Sequence, residues 1–172
     1  MGLIVFSVKG AFMDTGKSQV LQHIPALRRY ARALTSDTNK ADDLVQDSLE
    51  RALQRFHLYQ DGTNLKAWLF TIMHNVYVNN VRKSCSEPNF VSYDNLNTSH
   101  HNATDSDNDA TMRDLKCALT KLPSDQKNIL LLVGLEGFGY KEVSHMLDIP
   151  LGTVMSRLHR AREKLRQQMF HA

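Results

Sequence analysis

The chain has 172 residues, 42% of them apolar and 23% charged, which allows one medium domain or two small ones. Mean hydropathy is −0.38, and no run approaches the roughly 20 apolar residues that a membrane-spanning helix requires. Two cysteines, Cys85 and Cys117, are too few for a disulfide framework or a cysteine-rich zinc site, so a reducing compartment is the simpler setting.

Formal net charge is only +3, but it is unevenly placed. Residues 1–83 carry 11 basic against 7 acidic side chains, residues 84–110 carry none against 5, and residues 111–172 carry 10 against 6. Basic blocks suggest a polyanionic partner, and a block without cations suggests a solvated connector.

In chain order, MGLIVFSVKGAFM is short, lacks a basic n-region and has no small-residue cleavage site, so it is not read as a signal peptide. Residues 1–17 are expected to be a disordered extension. Leu27, Tyr30, Ala31 and Leu34 then mark the apolar face of a first helix that Pro25 begins or kinks, with Arg28, Arg29 and Arg32 opposite. Thr35 to Asn39 is a polar break rich in capping residues. A second helix is predicted from about Lys40 to Phe56, with Leu44 or Val45, Leu49, Ala52, Leu53 and Phe56 inward. Its early turns expose Asp42, Asp43, Gln46, Asp47 and Glu50. Those carboxylates suit the helix dipole, and Asp47 with Arg51 has i,i+4 spacing worth about 0.2–0.5 kcal/mol; a protein-docking surface is the alternative. A metal or acid-base site is disfavoured, because no partner histidine or glycine-rich loop lies nearby.

HLYQDGTN is a loop with Asp61 and Gly62 as turn formers, and a helix comes next from Leu65 to about Lys83. One face carries Leu65, Trp68, Leu69, Ile72 and Val76, while Asn75, Asn79 and Arg82 fall on other faces. Amides beside a basic helix end can pair base edges and meet phosphate, a weak signal alone. Residues 84–110 have almost no helical period and many Ser, Asn, Asp and Thr, the composition of a flexible linker. Such a coil spans roughly 25–30 Å. His100 and His101, adjacent within it, are a weak metal signal.

A helix from about Arg113 to Leu122 contributes Leu115, Ala118, Leu119 and Leu122, and Ile129 to Leu135 is a nearly continuous apolar helix. Lys141 to Leu147 supplies a short helix with Val143, Met146 and Leu147 at helical spacing, broken by Asp148, Ile149, Pro150 and Gly152. In the last helix Val154, Leu158, Ala161 and Leu165 form the buried stripe, and Thr153, Ser156, His159, Arg160 and Glu163 face outward. A short helix, a tight turn and a basic second helix read as a helix-turn-helix. Its hydroxyl, imidazole and guanidinium groups suit a major groove, whereas an amphipathic helix with a merely solvated face is the plain alternative. The expected class is all-α: two small helical domains, residues 18–83 and 111–172, joined by the linker, the second a helix-turn-helix.

LPSDQKNILLLVGLEGFGYKEVSHMLDIPLGTVMSRLHRAREKLR resembles region 4 of bacterial sigma factors, most closely the extracytoplasmic-function (ECF) group. ADDLVQDSLERAL resembles sigma region 2.2, and NLKAWLFTIMHNVYVNNVRK resembles regions 2.3 and 2.4. The resemblance covers about residues 20–83 and 111–168, in order and spacing. It implies a transcription initiation factor that binds core RNA polymerase through Asp43, Gln46, Asp47 and Glu50. Unpaired downstream (−10) promoter DNA would meet Asn64, Asn75, Asn79, Asn80, Arg82 and Lys83. Duplex upstream (−35) DNA would meet Thr153, Met155, Ser156, Arg157, His159 and Arg160. Met155 departs from the Lys or Arg usual there, and the sparse aromatic set, Tyr59, Phe70 and Tyr77 beside Trp68, implies weaker melting and stricter promoter choice.

The resemblance further implies a cytoplasmic protein with no membrane contact of its own, monomeric on DNA, and held inactive by an anti-sigma factor; the long linker and the apolar residues at helix ends suggest that an amphipathic helix of that factor docks between the domains. No cofactor and no metal are expected, and without a nucleophile-base-orienter set or phosphate loop the chain is not expected to be an enzyme. Two alternatives stand beside this reading. One is a helix-turn-helix regulator with an N-terminal sensor or dimerisation domain; the other is a sigma mimic that titrates an anti-sigma factor, although no receiver domain of the usual kind is read in the sequence.

Overall fold

The computed structural model describes residues 3–86 and 107–170, with side chains described over 18–83 and 110–169. Every regular element among them is helical. Helix α1 runs Leu3–Thr35, α2 Thr38–Gln54 and α3 Leu65–Ser86, with a single 3-10 turn at Phe56–Leu58; α4 is Asp107–Thr120, α5 Ser124–Gly134, α6 Tyr140–Leu147 and α7 Leu151–Phe170.

Two of these bounds differ from the sequence reading, at the N-terminus and around the linker. Residues 3–17, expected to be disordered, are helical and continuous with the rest of α1, in a stretch without proline whose only breakers are Gly10 and Gly16. Pro25 lies within α1 without ending it. Helix α4 begins at Asp107, inside the expected linker, and α3 reaches Ser86. Residues 87–106, which hold the remainder of that linker and both His100 and His101, lie outside the described residues.

Local chemistry accounts for the breaks between helices. Ser36 takes a left-handed conformation at φ 58° and ends α1. Asp37 then caps α2, its side chain accepting from Lys40 N at 3.0 Å. Within α2, Ala41, Leu44, Val45, Ser48 and Ala52 are buried. Leu53, expected inward, is 46% exposed, because it stands about 100° round the helix from Ala52, outside the buried stripe. In α3 the core face is Leu65, Leu69, Phe70, Met73 and Val76, with Trp68 and Ile72 half-buried against it.

Helices α1, α2 and α3 pack on one another, and α4, α5 and α6 pack around α7. The two helical units also meet through α1 with α5 and α3 with α6, so one apolar cluster runs from Val20 to Leu158. Phe70 of α3 and Phe138, between α5 and α6, stack edge-to-face with centroids 5.2 Å apart.

Polar groups complete this contact. The buried Tyr30 hydroxyl donates to Asn128 Oδ1, which leaves Asn128 Nδ2 to donate to His74 Nδ1 at 2.7 Å. His74 must therefore be neutral, since a protonated Nδ1 would face another N–H. Burial alone drives it the same way and lowers its pKa to about 4. Lys127 Nζ reaches Ser36 Oγ at 3.1 Å, and burial lowers its pKa also.

Leu132→Ala, at a fully buried position in α5, is expected to cost about 2–5 kcal/mol in urea unfolding. A second expectation concerns pH. The unfolded chain protonates a histidine near 6.5, whereas folded His74 resists to about 4. The stabilisation is therefore complete above 6.5 and lost as pH falls through that window, on the order of 3 kcal/mol in all. Unfolding titrations from pH 7 to 4 should show this slope, and His74→Gln should flatten it.

Candidate functional site

Three surfaces hold the residues singled out from the sequence, and each is one face of a helix whose other face is core. On α2, Asp42, Asp43, Gln46, Asp47 and Glu50 are all exposed, opposite Ala41, Leu44, Val45 and Ala52. Gln46 Nε2 donates to Glu50 Oε1 at 3.2 Å. The expected Asp47–Arg51 ion pair is not among the ion pairs of the described residues, in keeping with how little an exposed pair contributes once two side chains must be held in place. A row of solvated carboxylates on a rigid helix suits a cationic protein groove.

On α3, Asn75, Asn79, Asn80, Arg82 and Lys83 are exposed. Helical geometry puts Asn75, Asn79 and Arg82 within about 60° of one another, whereas Asn80 is turned about 140° from Asn75 and continues the line of Leu69, Met73 and Val76 beyond the core. The strip is thus Asn75, Asn79 and Arg82 with Lys83 beside it. Asn64 lies at the other end of the helix, about 16 Å from Asn75. Its Oδ1 accepts from Ala67 N at 3.1 Å and starts α3, while its Nδ2 donates to Glu142 Oε1 in α6 at 2.9 Å.

Aromatic residues at and before the start of α3 do something that spacing did not disclose. Phe56, Tyr59 and Trp68 form a cluster, with centroids 5.6 Å, 6.1 Å and 5.4 Å apart in the three pairs. Tyr59 also donates to Thr63 O at 2.6 Å. The cluster pins the loop that presents Asn64. Of the sparse aromatic set, Phe70 is fully buried core and Tyr77 is half-buried, its pKa raised by burial.

The helix-turn-helix is built as its sequence suggests. Glu142 Oε2 accepts from Gly139 N at 2.8 Å and closes the start of α6. Asp148, left-handed at φ 51°, ends α6, and Ser144 Oγ donates to Ile149 O at 2.6 Å across the turn. Thr153 N and Val154 N bond Pro150 O at 2.9 and 3.1 Å as α7 begins. Val154, Leu158 and Ala161 are buried, while Met155, Ser156, His159 and Arg160 are exposed and Thr153 is half-buried. Arg157 is held to Asp125 of α5, Nε to Oδ2 at 3.2 Å, so it braces the helix as well as bordering its outer face. Exposed donors over a basic helix are what a nucleic-acid groove demands.

Among the described residues no three His, Cys, Asp or Glu side chains gather as metal ligands, and no helix is long and apolar enough to cross a membrane. The arrangement offers binding faces.

Known proteins share both halves. The sequence model of the Sigma2 domain of PhyR matches residues 20–74, and that of sigma-70 region 4 matches residues 112–165. The ECF RNA polymerase sigma factor EcfG of Rhodopseudomonas palustris is 35% identical over 161 residues, 91% of this chain and 86% of its own length. SigE of Mycolicibacterium smegmatis, also an ECF sigma factor, is 32% identical over 98% of this chain and 67% of its own. In structure, the sigma factor RpoE of Bartonella quintana, solved with the anti-sigma factor NepR, is 34% identical with a TM-score of 0.72, covering 89% of this chain and 95% of that one. The PhyRSL–NepR complex of Sphingomonas sp. Fr1, 19% identical with a TM-score of 0.64, shares the fold. With two sigma regions matched in order and relatives of this identity over most of their length, the chain belongs to the extracytoplasmic-function family of RNA polymerase sigma factors.

Proposed function

We propose that this chain initiates transcription by joining core RNA polymerase through the carboxylate face of α2, reading an upstream promoter element as duplex with α7 and holding the downstream element open with α3. The observation that carries the reading is the separation of three exposed polar faces, each backed by core, in a chain that matches sigma regions 2 and 4 in order. Asp43, Gln46, Asp47 and Glu50 would meet the polymerase. Thr153, Met155, Ser156, Arg157, His159 and Arg160 would enter the major groove, with the Met155 thioether suited to apolar contact such as a thymine methyl where a cation would instead seek guanine.

Opening is a binding event in this scheme. A base presents all its edges only when it leaves the stack, at a cost of a few kcal/mol, and capture by Asn64, Asn75, Asn79, Asn80, Arg82 and Lys83 offsets that cost. The polymerase performs the synthesis, so the chain needs no covalent chemistry, cofactor or metal of its own. It would act in the cytoplasm as a monomer on an asymmetric promoter. That RpoE of Bartonella quintana was solved with NepR supports control by an anti-sigma factor of that kind. A sigma mimic that titrates such a factor is the second reading, favoured by the match of residues 20–74 to the PhyR domain; promoter-directed transcription with purified core separates the two.

Co-elution of the full chain with bacterial core RNA polymerase tests the reading, and Asp47→Arg should weaken it by about tenfold or more, because charge reversal at a contact replaces attraction by repulsion. Core binding untouched by that change would remove α2 from the interface. Arg160→Ala should weaken promoter binding and lower the salt dependence by about one counterion if the contact is to phosphate, read as the slope of affinity against salt.

A further inference from the structure

Asp125 sets a carboxylate against α7, a basic helix whose only acid of its own is Glu163. It lies in the first turn of α5, where the helix dipole favours a negative charge, and its Oδ2 is 3.2 Å from Nε of Arg157. Helix α5 is a rigid post for it, since Ile129 and Leu132 are fully buried and Lys127 N bonds Pro123 O at 2.9 Å as the helix begins. Neither partner is buried: the side chains are 34% exposed for Arg157 and 45% for Asp125. A pair so exposed contributes little to stability, while a carboxylate beside α7 opposes the approach of any DNA.

Helical geometry places Arg157 at an edge. It stands about 40° round α7 from buried Ala161 and about 60° from exposed Arg160, so it flanks the outward face around Ser156. Arg160 takes part in no ion pair among the described residues, whereas Arg157 pairs with Asp125. A guanidinium carries donors on Nε and on both Nη atoms. With Nε directed to Asp125, the two Nη groups remain as an end-on fork, a shape that fits two acceptors of a guanine or of one phosphate. Anchoring one nitrogen also removes much of the rotamer freedom of a long side chain before any DNA arrives.

We propose that Asp125 is a positioning residue for upstream-element recognition, which holds the Arg157 fork at one place on the edge of α7 so that one base pair is read there. The inference rests on the reading of α7 as the duplex-binding helix. Specificity is a difference of affinities, and Asp125 acts on both sides of it. On a matching site the held fork meets its acceptors without first being ordered. On any other duplex the charge of Arg157 stays balanced by Asp125 and displaces no counterion from the DNA.

The test uses the full chain, a duplex that it enriches from a pool of randomised sequence, and a scrambled duplex as reference. Fluorescence anisotropy gives both affinities across a range of salt. Asp125→Asn should tighten binding of the scrambled duplex several-fold and steepen its slope of log affinity against log salt by about 0.9, the value of one added phosphate contact. The ratio of the two affinities should fall about tenfold, and enrichment repeated with this variant should lose the base preference at one position of the site while keeping the others. In an Arg157→Gln background, Asp125→Asn should change neither slope nor ratio, because the anchor has nothing to hold. An unchanged ratio in Asp125→Asn overturns the proposal, and so does an equal effect with and without Arg157, which would make Asp125 a plain repulsive charge. If the wild-type chain enriches no sequence, the reading of α7 fails and the anchor with it; an enriched sequence that Asp125→Asn leaves intact removes the anchor alone.

Discussion

A carboxylate cannot be carried into a protein interior alone, and the contact between the two helical units is organised by that constraint at Glu136. Moving an ionised carboxylate out of water costs several kcal/mol even after relaxation, so a cation must go with it. Here two cations do, and both come from the N-terminal unit. The loop between α5 and α6 is thereby committed to the groove beside α1 and α3. Phe138 reaches Phe70 from the same loop, and Phe70 in turn lies 5.1 Å from Tyr30. Tyr30, its hydroxyl kept protonated by burial and by the nearby Tyr77 and Glu136, continues the chain through Asn128 to a neutral His74. One ion-paired carboxylate thus sits at the head of a connected series of apolar and hydrogen-bonded contacts.

The helices meet two demands at once. Each of α2, α3 and α7 gives one stripe to a core and leaves the other exposed and polar, so stability and the proposed recognition occupy different faces of one element. The carboxylates of α2 are not held in an ion pair by Arg51, in keeping with the small stabilisation that an exposed pair gives. Arg157 shows a related division, bracing α7 against α5 through Asp125 at the border of the outward face. Trp68, Tyr59 and Phe56 devote their aromatic area to fixing a loop.

The polar strip of α3 runs from Asn75 to Lys83, whereas Asn64, which precedes the helix, is engaged across the two units by Glu142. Glu142 has two duties, closing the start of α6 with one oxygen and taking the Asn64 amide with the other. A residue that begins a helix locally is here also a contact across 78 positions of sequence.

The stripes of α2, α3 and α7 were legible from the sequence, because a 3.6-residue period announces which side of a helix leaves water wherever the helix packs. So were the helix-turn-helix and the three polar faces, since exposed side chains owe their positions to their own helix alone. Legibility ends where burial depends on a partner element. Leu53, placed inward with Leu49 and Phe56, stands about 100° round α2 from Ala52 and is exposed, and Asn80 continues the buried line of α3 yet is exposed. The N-terminal residues 3–17, apolar but unpatterned, gave no sign of the continuous helix. Glu136 is the clearest case: an acidic residue between glycine-rich turns reads as loop surface, and only the arrival of Arg29 and Lys66, 107 and 70 residues away in sequence, makes its burial possible. Sequence by itself determined the helices, their faces and the family; tertiary structure alone decided how the two units meet, because that depends on charges and rings brought together from distant positions, which leave no periodic trace in the chain.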